Sequence, residues 1–165
     1  MANDGVLNQK IGKLTGLQRV CLLLLRVTVG WHFLYEGYVK IKSSGWSAAG
    51  YLQAVPDNPF AGLFEWMVGN PSFLKFIDGC MMYGLTLIGL CLILGIFSRA
   101  AAAGAAFLLL MFYMSNPPFI GVQFMPGEGS YLIVNKNLVE LFAALVLMAF
   151  PSGLIWGMDL LFIKK

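Results

Sequence analysis

Charge is scarce in this 165-residue chain: 12% of its residues are Asp, Glu, Lys or Arg, against roughly 25% in soluble domains. Histidine occurs once, at His32, which excludes a bis-histidine haem. The three cysteines, Cys21, Cys80 and Cys91, have no CxxC spacing, and no Cys/His cluster supports zinc or iron–sulfur ligation, so no metal is expected. Cys80 and Cys91 lie about 16 Å apart along one helix, too far for a bridge. A P-loop, a GxGxxG after a strand and a GxSxG are all missing. Any electrons that pass through must therefore travel on a diffusing organic carrier.

Apolar residues make up 59% of the chain, above the roughly 45–50% of soluble domains. Apolar runs at 17–38, 79–97, 100–115 and 131–150 each approach the roughly 20 residues that span hydrocarbon. The fold class that follows is all-α, a polytopic four-helix membrane bundle forming one domain over 1–165. The run after Arg19 is too long for a cleaved signal and lacks a small-residue cleavage site, so the first helix is expected to stay. Four crossings put both termini on one side. Lys10, Lys13, Arg19, Arg99, Lys164 and Lys165 mark that side as cytoplasmic. The other side mixes Lys40, Lys42, Lys75 and Lys136 with Asp57, Glu65, Asp78 and Glu128. The net charge of +3 reads as topology and implies no nucleic acid.

Residues 43–75 are too polar, and too broken by Pro56, Pro59 and Pro71, to cross a bilayer. Their aromatics suit short amphipathic helices at the outer surface, a lid over the bundle. Residues 116–130, rich in Pro and Gly, read as an outer loop. Pro151 and Gly153 end the fourth helix, and 155–163 reads as a short cytoplasmic-surface helix. The run AAAAGAA at 100–106 reads as a small-residue face for close helix packing.

Polar groups inside the apolar runs are the functional candidates. On an ideal helix Arg26, Gly30, Phe33, Gly37 and Lys40 fall within about 40° of one line. This stripe reads either as packing with snorkelling basic ends or as a polar site. His32 and Glu36, at i and i+4, form a second stripe. A carboxylate there can hold one ring nitrogen and leave the other to exchange protons; the alternative is a bond that only ties helices together. Asn137 and Glu140 have the N-x-x-E form of a helix start, which competes with a functional reading. The outer half of the bundle thus collects His32, Glu36, Asp78, Glu140, Asn137 and Tyr83, whereas Arg26, Arg99 and Thr28 lie in the cytoplasmic half.

The segments LLRVTVGWHFLYEGYVKI, GWSAAGYL, LTLIGLCLILGIFSRAAAAGA and NLVELFAALVLMAFPSGLIWGMD, in this order over 18–161, resemble the DoxX/DoxD family. The resemblance implies a four-helix bundle in the bacterial inner membrane. It also implies association with redox enzymes, as in the small subunit of a thiosulfate:quinone oxidoreductase. Matched residue by residue, it points to Arg26, Gly30, Gly37 and Lys40, to Gly89, Gly95 and Arg99, and to Gly157 and Asp159; no catalytic residue carries over.

The first expectation is a quinone-linked subunit passing electrons from an outer-face donor to a diffusible quinone. His32 and Glu36 would be its catalytic proton relay. Lys40, Asp78, Tyr83, Asn137 and Glu140 would line the quinone site, and Arg26 and Arg99 would be structural. Its partners would be lipid and an oxidoreductase subunit, with a homo-oligomer left open. A non-catalytic anchor for a redox enzyme is the alternative, and a small-solute transporter ranks last. His32 and Glu36 are further expected to open onto a cavity beneath Trp46 and Trp66, and Arg26 to meet backbone near the turn at Arg99.

Overall fold

The computed structural model describes residues 14–53, 59–116 and 133–163. Expectations that rest on Lys10, Lys13, Pro56, Asp57, Glu128, Lys164, Lys165 and the loop from 117 onward lie outside the described residues.

The first helix, α1 (Gly16–Lys42), begins at a capping box: the Thr15 side chain accepts from the Gln18 amide, and the Gln18 side chain accepts from the Thr15 amide. Its 27 residues span about 40 Å at 1.5 Å per residue, more than the roughly 30 Å of a hydrocarbon core. Two short helices follow, α2 (Ala49–Leu52) and α3 (Ala61–Gly69). They form the described part of the lid.

The second long helix, α4 (Pro71–Leu94), starts two turns before the expected 79. Asn70 caps it by accepting from the Phe73 amide, and Pro71 occupies its first position. This pair is a start signal that the apolar run alone does not show. Lys75 and Asp78 therefore belong to a membrane helix, and the lid ends near Gly69. Gly95, at φ 68°, closes α4 in the left-handed conformation. The third long helix, α5 (Ser98–Ser115), follows directly.

The last helix of the bundle, α6 (Lys136–Ala149), has 14 residues rather than the expected 131–150. Asn135, not Asn137, is its cap, accepting from the Leu138 amide. Among the described residues, three helices, α1, α4 and α5, are long and apolar enough to cross a membrane. At about 21 Å, α6 falls short of that length. Beyond it come a 3-10 turn (Ser152–Leu154) and α7 (Asp159–Ile163). The expected helix over 155–163 is cut to its second half, because Trp156 takes a φ of 51° and turns the chain.

The bundle consists of two close helix pairs. The α1/α4 pair has the most extensive contact and α5/α6 the next, while the α4/α5 and α1/α6 seams are looser. Of the expected stripe on α1, Arg26, Gly30, Phe33 and Gly37 are buried, joined by Val29, while Lys40 is half-buried. The glycines matter because backbone fills their side-chain space. A Cβ on Gly37 would lie 2.6 Å from the Thr86 nitrogen, and one on Gly89 would lie 2.7 Å from the Gly30 oxygen. Ala101, Ala102, Ala105 and Ala106 form the small-residue face of α5 against Ala144 and Leu147 of α6. Outside this core, large apolar side chains such as Trp31, Phe76, Leu87, Phe107 and Phe142 are exposed. Such a surface suits lipid.

Candidate functional site between the first and last bundle helices

Two polar centres stand at different depths. The first lies at the end of the bundle opposite the lid. Arg26 is 1% exposed, and its Nη1 donates to the carbonyls of Ser152 and, at 3.4 Å, Ile155, while Nη2 reaches Trp156 O at 3.5 Å. Its partners are thus the carbonyls of Ser152, Ile155 and Trp156, in the 3-10 turn and the irregular residues after it. Arg26 meets backbone beside the turn before Arg99, where a Cβ on Gly95 would lie 2.9 Å from Nη1; Arg99 itself is exposed and donates from Nε to Met148 O at 3.1 Å.

Asp159 completes this knot. Its Oδ1 accepts from the Phe97 amide at 2.7 Å, and Oδ2 accepts from the Ser98 amide at 3.2 Å and Ser98 Oγ at 2.7 Å. A carboxylate thereby satisfies the orphan donors at the start of α5, where the helix dipole also favours it. Ser98 Oγ accepts in turn from the Gly153 amide. The Met158 and Asp159 amides donate to Leu94 O and Gly95 O. A Cβ on Gly95 or Gly157 would each come within 2.9 Å of Arg26 Nη1. The groups are packed to contact, so this centre holds helices together.

The second centre crosses the α1/α6 seam. His32 Nδ1 lies 2.6 Å from Glu140 Oε1. Glu140 is only 13% exposed, whereas His32 is 40% exposed. The expected intrahelical pair is therefore secondary: His32 Nε2 is 4.0 Å from Glu36 Oε1, and Glu36 Oε2 is engaged instead by Lys40. Lys40 also stacks over the Trp46 ring at 5.5 Å. Lys40, Glu36, His32 and Glu140 form one chain of polar groups descending from the lid.

Beside this pair runs a groove of about 580 Å³, walled by Thr28, Val29 and His32 of α1 and by Lys136, Val139, Glu140 and Ala143 of α6. It opens sideways along the seam. The expected cavity beneath Trp46 and Trp66 is replaced by this lateral groove, whose walls include neither tryptophan nor Glu36.

The remaining candidates are scattered. Asp78 Oδ1 accepts from the Ala48 amide at 2.7 Å and from Ser47 Oγ at 3.2 Å, fastening the lid to α4. Tyr83 is exposed on the α4/α5 face, in a different groove. Asn137 is buried but is not a wall of the His32 groove. The structure thus joins His32, Glu36, Lys40 and Glu140, and separates them from Asp78 and Tyr83. Lys136 and Thr28 are groove residues that sequence reasoning assigned to no site. Their only signal was depth along their helices.

A sequence model of the DoxX family matches residues 21–115. The chain belongs to the DoxX family. The match runs through α1, the lid, α4 and α5, so this DoxX protein carries Arg26, His32, Glu36, Lys40, Gly89, Gly95 and Arg99 inside the matched region. Glu140, Gly157 and Asp159 lie beyond it, although the residue-by-residue resemblance reaches 161. No curated protein and no solved structure matches the chain. Membership and the three long apolar helices make the DoxX chain a membrane protein.

Proposed function

We propose that the protein is the membrane subunit of a quinone-linked oxidoreductase in the bacterial inner membrane. The observation that carries this reading is the His32–Glu140 pair at the side of an apolar, laterally open groove. A groove open to the acyl layer admits a carrier dissolved in the membrane and disfavours a water-soluble one. With Glu140 ionised, Nδ1 holds the ring proton against the carboxylate, so the imidazole is oriented and Nε2 is its free nitrogen. Once Nε2 has taken up a proton from the lid side the ring is an imidazolium, and its Nε2–H would donate to a carbonyl oxygen of the bound carrier and pass that proton to it as the carrier is reduced, leaving the neutral Nδ1–H ring. Val29, Val139 and Ala143 provide an apolar wall for the ring and tail, and Lys136 adds a cation at the groove. A quinone supplies the two-electron, two-proton chemistry for which the chain itself has no redox group. Glu36, held by Lys40, stands between Nε2 and the lid, on the side where a partner oxidoreductase would deliver electrons. Arg19 and Arg99, at the opposite end, favour that end as cytoplasmic.

The test is equilibrium binding of a short-chain quinone to the protein in lipid nanodiscs, alone and with any copurifying partner. His32→Ala removes a charge-assisted hydrogen bond and should weaken binding by at least about tenfold, with Glu140→Gln intermediate. Absence of quinone binding by both the lone chain and its complex overturns the reading. A partner that stays bound and active in the combined His32→Ala, Glu140→Gln variant would instead make the chain an anchor.

A further inference from the structure

The other loose seam, between α4 and α5, carries a groove of about 630 Å³. Lys75 stands at its lid-side end, with Phe76, Gly79, Gly84 and Leu87 continuing down α4 and Phe107 on the facing helix. The glycines hold it open: a Cβ on Gly79 or Gly84 would meet nothing within 4 Å. From Lys75 to Ile88 the groove descends about 20 Å. One leaflet measures about the same, half of a roughly 30 Å core plus a headgroup layer of about 5–7 Å. Lys75 is exposed and has no ion-pair partner among the described residues. Tyr83, about two turns further down the groove, is 68% exposed.

We propose that this seam is a binding site for one anionic phospholipid of the lid-side leaflet, with its phosphate against Lys75 and one acyl chain along Gly79, Gly84 and Leu87. A free cation at headgroup depth above an apolar slot of leaflet length is complementary to such a molecule in both charge and shape. Burial in the slot gives no gain over bulk lipid for the chain itself, because acyl chains are apolar everywhere in the bilayer. Selectivity therefore comes from Lys75. A second copy of the chain fits less well: a parallel two-fold contact on this face would set both Lys75 side chains at one depth, like charge against like.

The full chain, purified in mild detergent, is titrated with phosphatidylglycerol and with phosphatidylcholine, and bound lipids are counted by native mass spectrometry. One lipid is expected to be retained, with phosphatidylglycerol preferred about fivefold, the scale of a single interfacial lysine. Lys75→Gln should abolish the preference while leaving the circular dichroism melt unchanged. Gly84→Leu, which has space for its side chain, should expel either lipid. Equal retention of the two lipids by the unmodified chain, or an undiminished preference in Lys75→Gln, overturns the proposal. So does a disulfide-linked dimer through Cys80, which also lines the groove, because it would give the seam to a second copy.

Discussion

Two glycines on α4, five positions apart, should respond oppositely to the same added methyl group. At Gly89 a Cβ would lie 2.7 Å from both Gly30 O and Leu34 Cα. These are backbone atoms of α1 and cannot rotate away, so Gly89→Ala must push apart the closest helix pair in the bundle. Overpacking of this kind costs about 1–3 kcal/mol, which for a chain of this size lowers the melting temperature by about 2–12 °C. At Gly84 the added atom meets nothing within 4 Å. There alanine only removes the backbone freedom of glycine in the unfolded chain, for a gain of about 0.4–1 kcal/mol and a rise of about 1–4 °C. Thermal melts followed by circular dichroism, in one detergent and at one protein concentration, compare the two variants with the parent. Equal losses at both positions would refute the close α1/α4 approach.

Two further substitutions probe the knot at the end opposite the lid. Arg26→Lys keeps the charge but replaces a planar fork with a single ammonium; carbonyls among Ser152, Ile155 and Trp156 lose their donor, and the melting temperature should fall by at least about 4 °C. Limited proteolysis should also cut the 150–163 segment faster, and an unchanged digestion pattern would count against this anchoring. Asp159→Asn weakens the bonds to Phe97 and Ser98, and should cost about 1–2 kcal/mol and speed amide hydrogen exchange at those two residues; unchanged exchange there would deny Asp159 its capping role.

The buried face of α1 was legible because helical periodicity alone puts Arg26, Gly30, Phe33 and Gly37 on one line, and the same four are buried. The alanine run before Phe107 likewise announced a close-packed face, and α5 uses it so. Partner choice was not legible. Glu36 is four residues from His32 and looked like its partner, but Glu140, 108 positions away, holds the ring. Helical spacing brings side chains near one another without saying which will bond, and Lys40 competes for Glu36 from the next turn. Asp78 shared a depth with His32 along the chain, yet depth leaves the azimuth of a helix undetermined; the Ala48 amide of the lid claims it. The start of α4 is invisible to hydropathy, because its first two turns carry Lys75 and Asp78, and is marked instead by the cap at Asn70 and Pro71.

The knot around Arg26 also bears on how the chain is made. Ser152, whose carbonyl receives the guanidinium, lies 126 positions after Arg26. At the usual pace of synthesis that gap lasts about 6–25 s, during which the first helix holds an ion whose acceptors do not yet exist. An unmatched cation inside hydrocarbon is unfavourable by at least roughly 2.5–3.5 kcal/mol at the centre, so the nascent helix is held back from its final depth, or shielded by insertion machinery, until translation has passed Trp156. Chains halted before residue 152 are left with a built-in mark of incompleteness that membrane proteases can read.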